Sequence, residues 1–173
     1  MQGIVLSADA KRIVGPGLEN TIRFWDLETG NEVDSLESLE QAAWSVALAP
    51  NEKLMASTHR GGVVELWDLT TRMKKTLGQH SGDAYAVTFS PDGKLLVSTG
   101  SDALARVWTV EDGKLWKTLE DHKSGIPHAA FNPDGKRLAT ASWDSSIILW
   151  DLNEDAPEPS TPPQPDPAFN PRE

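Results

Sequence analysis

Apolar residues take alternate positions just ahead of four tryptophans: Ile22 and Phe24, Val64 and Leu66, Ala105 and Val107, Ile147 and Leu149. Arg23, Glu65 and Arg106 stand between three of these pairs. A period of two is that of a β-strand, and the pattern predicts one face packed inward. Short runs rich in β-branched and aromatic residues, Tyr85 to Phe89, Leu95 to Thr99, Ala105 to Trp108 and Leu115 to Leu119, predict further strands.

The pattern repeats. Phe24-Trp25-Asp26, Leu66-Trp67-Asp68, Val107-Trp108-Thr109 and Leu149-Trp150-Asp151 follow one another at spacings of 42, 41 and 42 residues. A second landmark lies 18 residues before each tryptophan: Ser7-Ala8-Asp9-Ala10-Lys11, Ala49-Pro50-Asn51-Glu52-Lys53, Ser90-Pro91-Asp92-Gly93-Lys94 and Asn132-Pro133-Asp134-Gly135-Lys136. These read as tight hairpin turns: proline presets the first corner, Asp or Asn folds onto nearby amides, and glycine takes the left-handed position. Ala10 and Glu52 replace that glycine in the first two copies, so less ideal turns are expected there. Four short strands per copy cannot bury both faces of a small sheet alone, so neighbouring sheets must stack radially.

The Trp-Asp dipeptide, the 41- to 42-residue period and Ser90-Pro91-Asp92-Gly93-Lys94 resemble the WD-repeat β-propeller family over about residues 1 to 152. The resemblance implies an all-β fold of propeller blades, with repeats near 1–37, 38–78, 79–120 and 121–152. It also implies a buried hydrogen-bonded set in a blade, matched by His80, Ser98, Asp102 and Trp108 in the third repeat and by His122, Thr140, Asp144 and Trp150 in the fourth. An indole N–H only donates, a hydroxyl relays, and a carboxylate holds the imidazole in one tautomer. Gly15 and Glu19 stand in the hydroxyl and Asp slots of the first repeat, and Leu39 and Gly61 in the His and Asp slots of the second. Only Ser57 and Trp67 remain there, and looser blades are expected.

Gln2 to Ser7 aligns with an innermost strand and nothing like Leu115 to Leu119 follows Leu152, which predicts three complete four-stranded blades plus one of three strands. The expectation is a C-terminal part of a longer propeller of seven or eight blades whose N-terminal blades lie elsewhere, or two copies closing an eight-bladed ring. An isolated four-repeat piece would leave open apolar faces and an unpaired edge at Ile147 to Trp150, both liabilities for aggregation, whereas two copies would instead close the ring. From Asn153 onward the composition shifts: seven of the twelve prolines fall in the last 21 residues, with five acids and one Arg. Residues 153–173 read as a disordered tail or linker, with Thr161-Pro162-Pro163-Gln164-Pro165 as a weaker candidate for proline-recognising domains.

A net charge of -10 with scattered basic residues argues against a nucleic-acid partner. No run of 18 apolar residues occurs, so no membrane partner is expected. The absence of cysteine removes disulfides and thiol chemistry and fits a reducing compartment, so a cytoplasmic location is expected. His80, Ser98 and Asp102 offer the residue types of a hydrolase triad, but the repeat places them as ties on an interior strand, without a glycine-flanked elbow. No catalytic residue, metal or cofactor is assigned: His80 and His122 belong to different blades, His59 and His128 read as lone surface residues, and Gly61-Gly62 and Gly15-Pro16-Gly17 fit no phosphate loop.

The resemblance further implies that the top face contacts other proteins or peptides. Carried over by position, the contact positions are Trp44, Arg60, Asp83, Tyr85, Ser101, Pro127 and Trp143. Trp44, Arg60, Tyr85 and Trp143 carry the side chains that anchor interfaces best, with Asp83 beside them. Contact and packing between blades remain equally open for Trp44 and Trp143, and Trp116 is given no role. The function expected is a non-catalytic scaffold for protein–protein interaction; its alternatives are a ligand-binding or catalytic propeller with a central funnel, and a regulatory segment of a larger protein.

Overall fold

A computed structural model describes residues 3–17, 20–36 and 41–153. The expectations for Glu19, Leu39 and the segment from residue 154 onward lie outside these residues. Fifteen strands form among them: β1 (Val5–Leu6), β2 (Arg12–Pro16), β3 (Ile22–Asp26), β4 (Glu32–Leu36), β5 (Ala43–Leu48), β6 (Leu54–His59), β7 (Val63–Asp68), β8 (Lys74–Gln79), β9 (Ala84–Phe89), β10 (Leu95–Gly100), β11 (Ala105–Thr109), β12 (Leu115–Leu119), β13 (His128–Phe131), β14 (Arg137–Ala141) and β15 (Ile147–Asp151). They make four antiparallel sheets in chain order, β1 to β4, β5 to β8, β9 to β12 and β13 to β15. These are propeller blades, three of four strands and one of three.

The hairpin joining the first two strands of each blade is built the same way from different residues. The Lys11, Lys53, Lys94 and Lys136 amides donate to Asp9, Asn51, Asp92 and Asp134 at 2.8 to 3.0 Å, closing the turn from its own side chain. Gly93 and Gly135 then take φ of 73° and 72°, and Ala10 and Glu52 are held in the same left-handed region at 54°. A side chain there costs about 1–2 kcal/mol, only partly offset by the greater unfolded freedom of glycine. Ala10→Gly is therefore expected to raise stability by about 0.5–1 kcal/mol, seen as a higher urea midpoint with an unchanged slope.

Between sheets the alternation of the third strand becomes packing. Val14, Ile22 and Phe24 of the first blade meet Val46, Met55 and Trp67 of the second. Ala56, Val64 and Leu66 meet Val87, Phe89, Leu96 and Trp108. Val97, Ala105 and Val107 meet Ile126, Leu138 and Leu152, with Trp116 packed alongside. Each wholly buried aliphatic side chain in these seams contributes about 1.5–3 kcal/mol relative to exposure. In the fourth blade the same alternation faces outward: Ile147 and Leu149 are 72% and 70% exposed.

Candidate functional site

Because successive hairpins fix the register, Ser98 on β10 sits opposite Arg106, two residues from Trp108, while the loop ahead of β9 delivers His80. The Trp108 indole N–H donates to Ser98 Oγ at 2.9 Å, and Ser98 Oγ lies 2.9 Å from His80 Nε2. On the other side of the ring, His80 Nδ1 is 2.9 Å from Asp102 Oδ1. A neutral imidazole satisfies all three groups when the hydroxyl donates to Nε2 and Nδ1–H donates to the carboxylate. Asp102 also accepts from Arg106 at 2.8 Å and from the Ser81 amide at 3.0 Å. Thr140 does the same in the fourth blade, 2.8 Å from both Trp150 Nε1 and His122 Nε2, with Asp144 3.0 Å beyond the ring. Ser98 and Thr140 are wholly buried and doubly bonded. A hydroxyl so held has no path to a substrate.

Burial pushes the Asp102 carboxyl up, but hydrogen bonds from His80, Arg106 and the Ser81 amide outweigh it and hold it well below the ordinary carboxylate range. Bonds from Ser146 and the Lys123 amide, then His122, hold Asp144 low as well. A carboxyl depressed by folding adds stability that is complete above its unfolded pKa, here taken as 3.8, and is lost as pH falls toward the folded value. Urea midpoints are therefore expected to fall steadily below about pH 4, and Asp102→Asn is expected to flatten that decline while lowering the midpoint near neutrality. Unfolding curves of both chains through the acid range check this.

The second blade overturns the expectation of a surface His59. It is 3% exposed. Its Nε2 lies 2.8 Å from Ser57 Oγ, which accepts the Trp67 indole N–H at 2.9 Å, and its Nδ1 lies 3.1 Å from the Gln41 carbonyl. Gly100, its counterpart in the third blade, explains the exchange: a Cβ there would come within 2.6 Å of His80 Nδ1. The same volume is thus filled by a histidine from the loop in one blade and from the strand in the other. Charge is exchanged with it. Buried Glu65, at the position of Arg106, pairs with Lys74 at 2.7 Å. Its other oxygen is 3.2 Å from His59 Nε2, without the alignment of a hydrogen bond. In the first blade Gly15 offers no hydroxyl, and Ile4 fills the space beside it.

The positions expected to meet a partner do not all converge. Trp44 and Tyr85, near the starts of β5 and β9, and Trp143, in the turn after β14, line one open cavity of about 230 Å³ with Gly3, Ser45, Ala86, Pro127 and His128. Tyr85 lies edge-on to Trp44, ring centres 6.1 Å apart, and tilted on Trp143 at 4.9 Å. Gly125 lets the latter two close, since a Cβ there would stand 3.1 Å from both rings. Trp143 is 61% exposed, and the Trp44 indole N–H is buried without a hydrogen-bond partner among the described residues. Asp83 is instead engaged between blades, accepting the Gly61 amide at 2.9 Å. Arg60 is exposed outside the cavity wall. His128, expected as a lone surface residue, is exposed and also forms part of that wall. No group of three or more His, Asp or Glu among the described residues is placed to hold a metal.

Residues 71–109 and 113–151 match the model of the WD domain, G-beta repeat. Each match takes the last strand of one blade and the first three of the next. Transcription factor unc-37 of Caenorhabditis elegans is 31% identical over 108 residues, 62% of this chain and 18% of that protein. WD repeat-containing protein SL1-17 of Schistosoma mansoni is 28% identical over 140 residues, covering 57% of this chain and 46% of its own length. Protein groucho of Drosophila melanogaster is 30% identical over 110 residues, 64% of this chain and 15% of that protein. The chain thus spans less than half the length of each of these relatives.

Proposed function

This chain belongs to the WD-repeat family, and we propose that it is a non-catalytic, cytoplasmic scaffold that receives a partner protein on the aromatic surface of Trp44, Tyr85 and Trp143. The observation that carries this reading is the convergence of rings from three successive blades on one open cavity. Large aromatic side chains bury much area for little lost freedom, which suits them to anchor an interface. Blades held by their internal ties keep the three rings in fixed positions, so binding sacrifices little order in the scaffold. A net charge of -10 favours a basic or neutral partner.

The test is quantitative affinity capture with the chain and its Tyr85→Ala/Trp143→Ala variant. Proteins retained by the parent are expected to be lost by about tenfold or more in the variant, with thermal unfolding followed alongside because half-buried Tyr85 packs on both tryptophans. Equal retention by both chains would remove this surface from the function.

A further inference from the structure

We propose that the cavity of Trp44, Tyr85 and Trp143 selects a methylated cation, and that its occupant is the trimethylated side chain of a lysine on the partner protein; this rests on the reading that a partner docks there. Two observations set the shape of the site. The planes of Trp44 and Tyr85 meet at 80° and those of Tyr85 and Trp143 at 55°, so the three rings wall the hollow from different directions. Its volume of about 230 Å³ lies below the roughly 300–1,000 Å³ of sites that enclose a whole small molecule, which suits it to one side chain of a larger partner. The opening does not depend on what adjoins the fourth blade. Trp44 and Tyr85 belong to the second and third blades, each packed against a neighbour on both sides. Trp143 stands to Trp150 as Arg60 stands to Trp67, and Arg60 is exposed although the third blade packs beside the second.

Chemistry then selects the occupant. The face of an aromatic ring carries negative charge density and attracts a cation held within about 6 Å of its centre, most strongly for tryptophan. A net charge of -10 draws cations toward the molecule as a whole. The other lining residues, Gly3, Ser45, Ala86, Pro127 and His128, include no carboxylate. An unmodified lysine is strongly hydrated and would bring three N–H donors that no carboxylate in the wall receives, and an arginine would bring five. A trimethylammonium keeps the charge, has no N–H to satisfy and offers methyl groups to the rings.

The test titrates the isotope-labelled chain with acetyl-Gly-Lys-Gly-amide in three forms and follows the tryptophan indole N–H resonances. The lysine is unmodified, trimethylated, or replaced by the uncharged isostere in which carbon stands for the ammonium nitrogen. The trimethylated peptide is expected to bind at least about fivefold more tightly than either of the others and to shift the Trp44 and Trp143 signals. Trp143→Leu, at an exposed site, is expected to abolish that preference and Trp143→Phe to retain part of it, with the Trp67, Trp108 and Trp150 signals unmoved as the check of the fold. Equal binding of the isostere would overturn the assignment of a cation, leaving an apolar side chain in the cavity. Tighter binding of free choline than of the trimethylated peptide would overturn the assignment to a lysine. Absence of any shift at saturating peptide would overturn the proposal outright. The docking of a partner is read independently by the affinity capture described above, so proteins retained by the parent and lost in Tyr85→Ala/Trp143→Ala would keep that reading even if all three peptides failed.

Discussion

Ser98→Ala is expected to destabilise the chain by about 3 kcal/mol, more than a lost hydroxyl on a surface strand would. The hydroxyl is the only atom joining the Trp108 indole to the His80 imidazole. Alanine fits the space but leaves a buried N–H donor and a buried ring nitrogen each without a partner, at about 1–3 kcal/mol apiece. Ser98→Thr supplies the control. Thr140 makes the same two contacts in the fourth blade, so threonine is expected to keep most of the stability, at a cost below about 1 kcal/mol for its extra methyl. Urea unfolding followed by tryptophan fluorescence ranks the three chains. A Ser98→Ala midpoint equal to that of the parent would show that the tie contributes nothing to holding the blade.

His59→Leu is expected to cost about 2–3 kcal/mol. Leucine keeps the volume and loses both polar contacts of the ring, so Ser57 retains only its bond from Trp67. The Glu65 oxygen facing His59 then lies against a hydrocarbon, with Lys74 holding only the other oxygen. Combining His59→Leu with Glu65→Leu is expected to recover much of the loss, because removing both members of a buried polar pair is cheaper than stranding one. Thermal melts of the single and double variants measure that recovery. Additive losses would mean that the two side chains act independently.

The blades were legible because their signals are local. A proline, an Asx side chain and a left-handed residue build each turn within five positions, and a short turn fixes the register that carries Ser98 opposite Arg106. The 18-residue step from His80 to Ser98 and the 10-residue step from Ser98 to Trp108 then place those side chains together. His59 escaped because it fills a histidine's volume from a strand rather than from a loop. The clue was nonetheless present: Ser57 and His59 are two residues apart on β6, hence on one face, and Glu65 pairs directly with Ser57 across the ladder. Of the surface positions, Trp44, Tyr85 and Trp143 meet and Arg60 and Asp83 do not join them. That outcome depends on which way rings lean over Gly125 and on the Gly61 amide that engages Asp83, neither of which a repeat alignment records.

The seams between blades have an evolutionary consequence. Phe24, Leu66 and Val107 differ in shape, as do Leu48, Phe89 and Phe131, yet each seam is assembled from one residue of each series. A joint that requires greasy side chains at set positions, and not one particular set of side chains, accepts any blade as its neighbour. Duplicating or deleting a whole 41- or 42-residue unit of DNA-encoded sequence therefore lengthens or shortens the array while leaving every joint serviceable, and a mutation that suits one blade can be copied into another without redesign.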